Sequence, residues 1–108
     1  MEVVETLDPK ARVIAVSGRL DAQTSPQLEA RLQELFTAGE KSLVFDLSGL
    51  AYISSAGLRV LLVAAKRLGQ GRVVLSGLHG TLREIIEISG FHAIFPLAAT
   101  TKEALAML

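Results

Sequence analysis

Two adjacent serines, Ser54 and Ser55, interrupt the apolar stretch DLSGLAYISSAGLRVLL (residues 46–62) at the point where a helical repeat begins. Serine hydroxyls in that place suit three chemistries: capping of helix amides, nucleophilic attack, or acceptance of a phosphoryl group. A cap needs one side-chain oxygen, and Ser54 is the better placed because residues from Ser55 onward then fall within the helix. That leaves Ser55 in the first turn with its hydroxyl unassigned. The polar residues Arg59, Lys66 and Gln70 share one side of the helix, and Ser55 lies one turn before Arg59, so its side chain is expected to face solvent. A phosphoryl group on Ser55 would meet free backbone amides and the positive end of the helix dipole, with Arg59 near enough to steady it. Ala56 and Gly57 keep bulk away from the serine and leave room for another protein to approach, while Gly57 equally suits tight packing against a strand.

A nucleophilic serine has weaker support. A hydrolase elbow carries glycine two positions before and two after the nucleophile; Ile53 stands at the first of these and Gly57 at the second. The two histidines, His79 and His92, have no neighbouring carboxylate pattern that would orient a base, and no HExxH motif is present. Gly69-Gln70-Gly71 lacks the Gly-Lys-Ser/Thr ending of a phosphate loop and reads as a turn.

The elements that must hold these residues follow from periodicity. Val4 to Leu7 and Val13 to Val16, joined by a turn through Asp8, Pro9 and Lys10, read as a strand pair, with Gly18 ending the second strand. Leu28, Leu32, Leu35 and Phe36 form an apolar stripe at helical spacing; Thr24 or Ser25 supplies the cap, Pro26 lies in the first turn and Gly39 marks the stop. Leu43 to Leu47 is a short apolar run of the kind covered on both faces. Leu58, Leu61, Leu62, Ala65 and Leu68 continue at helical spacing to Gly69, and Val73 to Leu75 make a further strand. Thr81 with Glu84 reads as a capping box before Leu82, Ile85 and Ile86, with Gly90 as the left-handed stop. Ile94 to Leu97, interrupted by Pro96, suits an edge strand, and Thr100 with Glu103 caps a last helix through Leu105 and Leu108. The order β β α β α β α β α predicts an α/β fold: a mixed sheet with crossover helices joining parallel strands and an antiparallel N-terminal strand. Ser54 and Ser55 then lie where a strand end runs into a helix N-terminus, the usual functional rim of such sheets.

Composition narrows the classes. With 108 residues, half of them hydrophobic, the chain suits one domain. Eleven basic and eleven acidic side chains cancel without a polybasic block, so neither nucleic acid nor an anionic membrane surface is selected as partner. The absence of cysteine excludes disulfides and thiolate metal sites and gives secretion no support. The N-terminus does not read as a secretory leader, and no apolar run approaches the ~20 residues that span a bilayer, so a cytoplasmic domain without membrane insertion is expected.

Three segments carry a resemblance to a known family: GRLDAQTSPQL (residues 18–28), VFDLSGLAYISSAGLRVLL (residues 44–62) and LREIIEISGF (residues 82–91). Nearly end to end, the chain resembles the STAS-domain anti-anti-sigma factors, bacterial antagonists of anti-sigma factors. The resemblance implies a single STAS domain over residues 1–108. It also implies that Ser55 is the serine phosphorylated by a cognate anti-sigma factor acting as a serine kinase. Ser54 holds the position where many members carry aspartate, and Asp21 resembles the acidic residue that members place in the loop near the serine. Where many relatives read Asp-Ser-Ser-Gly, this chain reads Ser54-Ser55-Ala56-Gly57. The implied function is a binding switch rather than an enzyme. The unphosphorylated domain docks on the kinase through a surface made of Asp21, Ser54, Ser55, Ala56, Gly57 and Arg59, and the sigma factor is freed. Phosphate at Ser55 ends the contact and a phosphatase resets it. No metal or nucleotide cofactor is implied for the domain itself. The alternative is a STAS subunit of another assembly, such as a stress-signalling or lipid-transport complex, without a serine switch.

Overall fold

In the computed structural model, which describes residues 1–108, the chain opens with an antiparallel pair, β1 (Glu2–Leu7) and β2 (Arg12–Leu20). Their turn is closed by Asp8, whose Oδ1 accepts from the Lys10 N–H at 2.9 Å. Helix α1 (Ser25–Thr37) buries Leu28, Leu32, Leu35 and Phe36, the stripe expected from spacing. Strand β3 (Leu43–Asp46) then runs parallel to the first half of β2, from Arg12 to Ala15.

A short strand that periodicity did not reveal follows: β4 (Leu50–Ile53), parallel to the second half of β2. Strand β2 therefore does not end at Gly18. It passes through that residue at φ 83°, a conformation open to glycine, and exchanges partner β3 for partner β4. Gly18 stands opposite Leu50 and Arg19 opposite Tyr52, so Ala51 is an extra residue bulged out of β4. The bulge lets Leu50 and Ile53, three apart, both point inward, while Ala51 and Tyr52 are exposed. Period-two alternation is lost for that reason.

Helix α2 (Ser55–Leu68) leads to β5 (Val73–Ser76), parallel to β3, and α3 (Gly80–Ile88) to a 3-10 turn over Phe91–Ala93. Strand β6 (Leu97–Ala98) pairs parallel to β5 at the sheet edge, directly after Pro96, and α4 (Thr101–Ala106) closes the chain. The sheet order is β1-β2-β3-β5-β6, with β4 attached to β2 alone. The mixed α/β sheet and its crossover helices are those expected, with β4 added.

Three local expectations are corrected. The buried line of α2 is Gly57, Val60, Leu61 and Ala64; Leu58, Ala65 and Leu68 flank it, and Leu62 lies toward the surface, so the helix is rotated relative to the leucine pattern. Helix α3 has no Thr81–Glu84 capping box: its cap residue is His79, so Thr81 is already inside the first turn, where its hydroxyl cannot reach back. The residues from Phe91 to Ala93 form the 3-10 turn, which shortens the last strand to Leu97–Ala98. At α4 the expected cap is present, Thr100 Oγ1 accepting from the Glu103 N–H at 3.2 Å.

The sheet has unequal faces. On one, the sheet and helices α1, α2 and α3 share a core of twenty buried residues; on the other, Ala11, Val13, Val44 and Val74 pack against Ala104 of α4 alone. Outside the core, Glu5 on β1 pairs with Arg31 of α1 (Nη2 to Oε1, 2.8 Å) and with Arg12 of β2 (3.2 Å). The hydrogen bond from Arg31 holds the Glu5 carboxyl below the ordinary glutamate range. No helix is long and apolar enough to cross a membrane.

Candidate functional site

The ends of β2 and β4 bring two loop-to-helix junctions side by side. The Ser54 N–H donates to Leu20 O at 2.9 Å, which ties the start of α2 to the residue that precedes Asp21. Gly57 makes this approach possible. A Cβ there would lie 2.8 Å from Leu20 O and 2.8 Å from Ile53 Cγ1, too close for any side chain. Gly57 is buried and seats the helix against the β2–β4 pair, which is the tight packing expected of it beside the room it leaves for a partner.

At the first junction Asp21 organises the entry to α1. Its Oδ1 accepts from the backbone N–H groups of Gln23 and Thr24, both at 3.0 Å, and lies 3.1 Å from the Thr24 hydroxyl. The Asp21 N–H donates to Thr24 Oγ1 at 2.9 Å, and that hydroxyl also lies 2.8 Å from Arg19 O. Thr24 is thus the cap residue by position, but its side chain is turned back to Asp21 and caps no helix amide; Ser25, offered as the other cap, is buried with its hydroxyl unpaired. These contacts, first among them the Thr24 N–H, hold the Asp21 carboxyl below the ordinary aspartate range against the opposing effect of partial burial; Thr24 Oγ1, the Gln23 N–H and Arg19 act in the same direction.

At the second junction Ser54 is the cap, its extended backbone (φ −95°, ψ 174°) aiming Oγ to accept from the Gly57 N–H at 3.3 Å. Ser55 opens the helix, exposed to solvent, and Ala56 beside it is half-buried. As the first two helical residues, they have N–H groups with no acceptor inside the helix. The first turn carries no acidic side chain, and the charged residues of α2 are all cations: Arg59, Lys66 and Arg67. Arg59 is exposed and enters no ion pair. An anion placed at Ser55 would find unpaired amides, the positive helix end and a free guanidinium one turn on.

Asp21, Ser54, Ser55, Ala56 and Arg59 are therefore gathered along one rim. The histidines lie elsewhere. His79 Nε2 is 2.9 Å from Ser48 O, and His92 is exposed in the 3-10 turn. Neither is hydrogen-bonded to Ser55.

One feature of the rim escaped sequence reasoning. The Arg19 guanidinium lies over the Tyr52 ring, 4.2 Å from its centroid. Both residues stand inside the two most informative sequence segments, but only the β2–β4 register brings them together.

The model of the STAS domain matches residues 2–104. The chain is 45% identical over 96 residues to BtrV of Bordetella bronchiseptica, provisionally named an anti-sigma factor antagonist, with 87% of this chain and 83% of that protein covered. It is 30% identical over 96 residues to the anti-sigma-F factor antagonist RsfB of Mycobacterium tuberculosis, covering 86% of this chain and 77% of the relative. Among solved structures, an anti-sigma factor antagonist from Mycobacterium paratuberculosis superposes with a TM-score of 0.89 at 27% identity, over 97% of this chain and 91% of that one.

Proposed function

The chain belongs to the STAS-domain family, and from that premise we propose that it is an anti-sigma factor antagonist whose binding is gated by phosphorylation of Ser55. Unphosphorylated, the rim built from Asp21, Ser54, Ser55, Ala56 and Arg59 docks on an anti-sigma factor serine kinase in the cytoplasm and frees the sigma factor. The kinase transfers the terminal phosphoryl group of its own ATP to Ser55 Oγ. That places a charge of about −1.5 to −2 at the contact, and the complex separates by repulsion and desolvation. A phosphatase hydrolyses the ester and restores the docking surface.

The observation that carries this reading is the state of the Ser55 hydroxyl: exposed, without a partner inside the chain, and set at a helix N-terminus whose capping is already done by Ser54. Phosphate added there needs no unfolding and displaces no existing bond. The names of the relatives support the antagonist role, and the rim position at the strand ends suits a small, transient interface.

Intact-mass measurement with fragmentation, on protein isolated from its own cells, tests the switch. One phosphoryl group on Ser55 is expected. Its absence under every growth condition would favour instead a STAS subunit of another assembly. In titrations against the kinase, Ser55→Asp is expected to lose affinity, whereas Ser55→Ala binds and resists phosphorylation.

A further inference from the structure

The outer face of the β2–β4 pair holds a feature that the Ser55 switch does not use. Arg19 and Tyr52 are register partners, and the bulge at Ala51 sets their side chains on the face away from Leu20 and Ile53. The guanidinium rests 4.2 Å from the ring centroid, with the Arg19 side chain 63% exposed and Tyr52 39% exposed. The stack fixes the plane of the guanidinium yet leaves its donors open. Its one charged neighbour in the chain is Asp21, whose Oδ2 stands 3.7 Å from Nε, beyond hydrogen-bond reach.

Arginine and tyrosine are the residue types that most often dominate binding at an interface, and an arginine already held by a ring loses little freedom when it forms a forked pair with a carboxylate. The location fits: Arg19 is two residues before Asp21, and Tyr52 two before Ser54, so the stack continues the rim onto the sheet. Charge fits as well. Arg19 and Arg59 outweigh Asp21, which leaves the unphosphorylated surface net positive and complementary to an acidic one; a phosphoryl group at Ser55 reverses that sign.

We propose that Arg19, stacked on Tyr52, is an anchor that receives an aspartate or glutamate side chain of the protein partner. The proposal rests on the Ser55 rim being the docking surface and names the chemistry that the partner presents to it. The rival role for the stack is a clamp that merely holds β4 on β2.

The test is titration of the purified anti-sigma factor kinase of the same cell with four variants, Arg19→Ala, Arg19→Lys, Tyr52→Ala and Ser55→Asp, each first checked by a denaturant melt. Arg19→Ala and Tyr52→Ala are expected to weaken binding by about tenfold or more. Arg19→Ala should keep its stability and flatten the salt dependence of affinity, which a clamp would not do. Arg19→Lys should recover part of the loss, and full affinity there would overturn the forked carboxylate pair. If Tyr52→Ala proves unfolded, Arg19→Ala decides alone. Binding by Arg19→Ala within about twofold of the parent, while Ser55→Asp has lost it, overturns the anchor and leaves the switch standing. Loss in Arg19→Ala with parental binding by Ser55→Asp does the reverse, and parental binding by both removes both.

Discussion

The entries to α1 and α2 are neighbours in space and opposites in construction. The α1 entry is closed on itself: one carboxylate oxygen of Asp21 holds two backbone amides and faces a hydroxyl that in turn bridges back to Arg19 O. The α2 entry has a single side-chain bond of 3.3 Å from Gly57 N to Ser54, and its next hydroxyl points to solvent. The first is a fixed wall. The second keeps polar groups available for chemistry, and its rigidity is supplied from beneath, by Gly57 against Leu20 and Ile53. A reactive helix start can be left underfilled when the strand below it does the positioning.

The largest effect on this contrast is expected from Gly57→Ala. The added methyl meets a backbone carbonyl that cannot swing aside, so a stability loss of about 1–3 kcal/mol is expected in denaturant melts, together with loss of kinase binding as α2 lifts from β2. An unchanged midpoint would show that the α2 entry is not held from below.

Next in size is the α1 entry. Asp21→Ala removes the acceptor of several bonds at once and is expected to destabilise the protein more than loss of the Ser54 cap does. Acid should reveal the same dependence. Because the folded-state pKa of Asp21 is depressed, its contribution is complete above the unfolded aspartate value of about 3.9 and is lost as pH falls through the lower folded value. Melts of the parent and of Asp21→Asn at neutral and acidic pH should therefore converge at the acidic end. The α2 entry, which has no carboxylate, should contribute nothing to that convergence.

Smaller again is Ser54→Ala, expected to cost about 1 kcal/mol or somewhat less, since the cap bond is long. Ser55 gives the least. Ser55→Ala should stay within about 0.5 kcal/mol of the parent, and Ser55→Asp should gain about 0.3–1 kcal/mol from the helix dipole. Melts of the three serine variants decide whether stability and exposure are divided between Ser54 and Ser55 as the geometry indicates; a Ser55→Ala loss as large as that of Ser54→Ala would erase the distinction.

What the amino-acid pattern made readable, and what it hid, follows the same division between local and non-local causes. The α1 stripe from Leu28 to Phe36, the Ser54 cap and the exposure of Ser55 depend on helical spacing within a few residues and were legible. Strand β4 was not, because the Ala51 bulge breaks alternation and its only sheet partner is the far end of β2, some thirty residues earlier in the chain. Gly18 misled for the matching reason. A glycine that ends a strand and one that lets a strand change partners look alike until the partner is known. The Arg19–Tyr52 stack inherits that invisibility. Thr81 and Glu84 show the opposite failure, a well-spaced capping pair left unused because the helix begins two residues too early for it, with His79 as the cap.

The unequal faces of the sheet imply how the molecule comes apart. Helix α4 has six residues and only Ala104 fully buried, and β6 beside it has two. Few apolar contacts hold that layer, so its amides belong to the lowest-energy cooperative opening and should exchange with solvent hydrogen well before those of β2, β3 and α1. Both helix entries lie on the other face, under the larger core. The protein can thus open at its C-terminal end while the strands and helices that position the rim stay assembled.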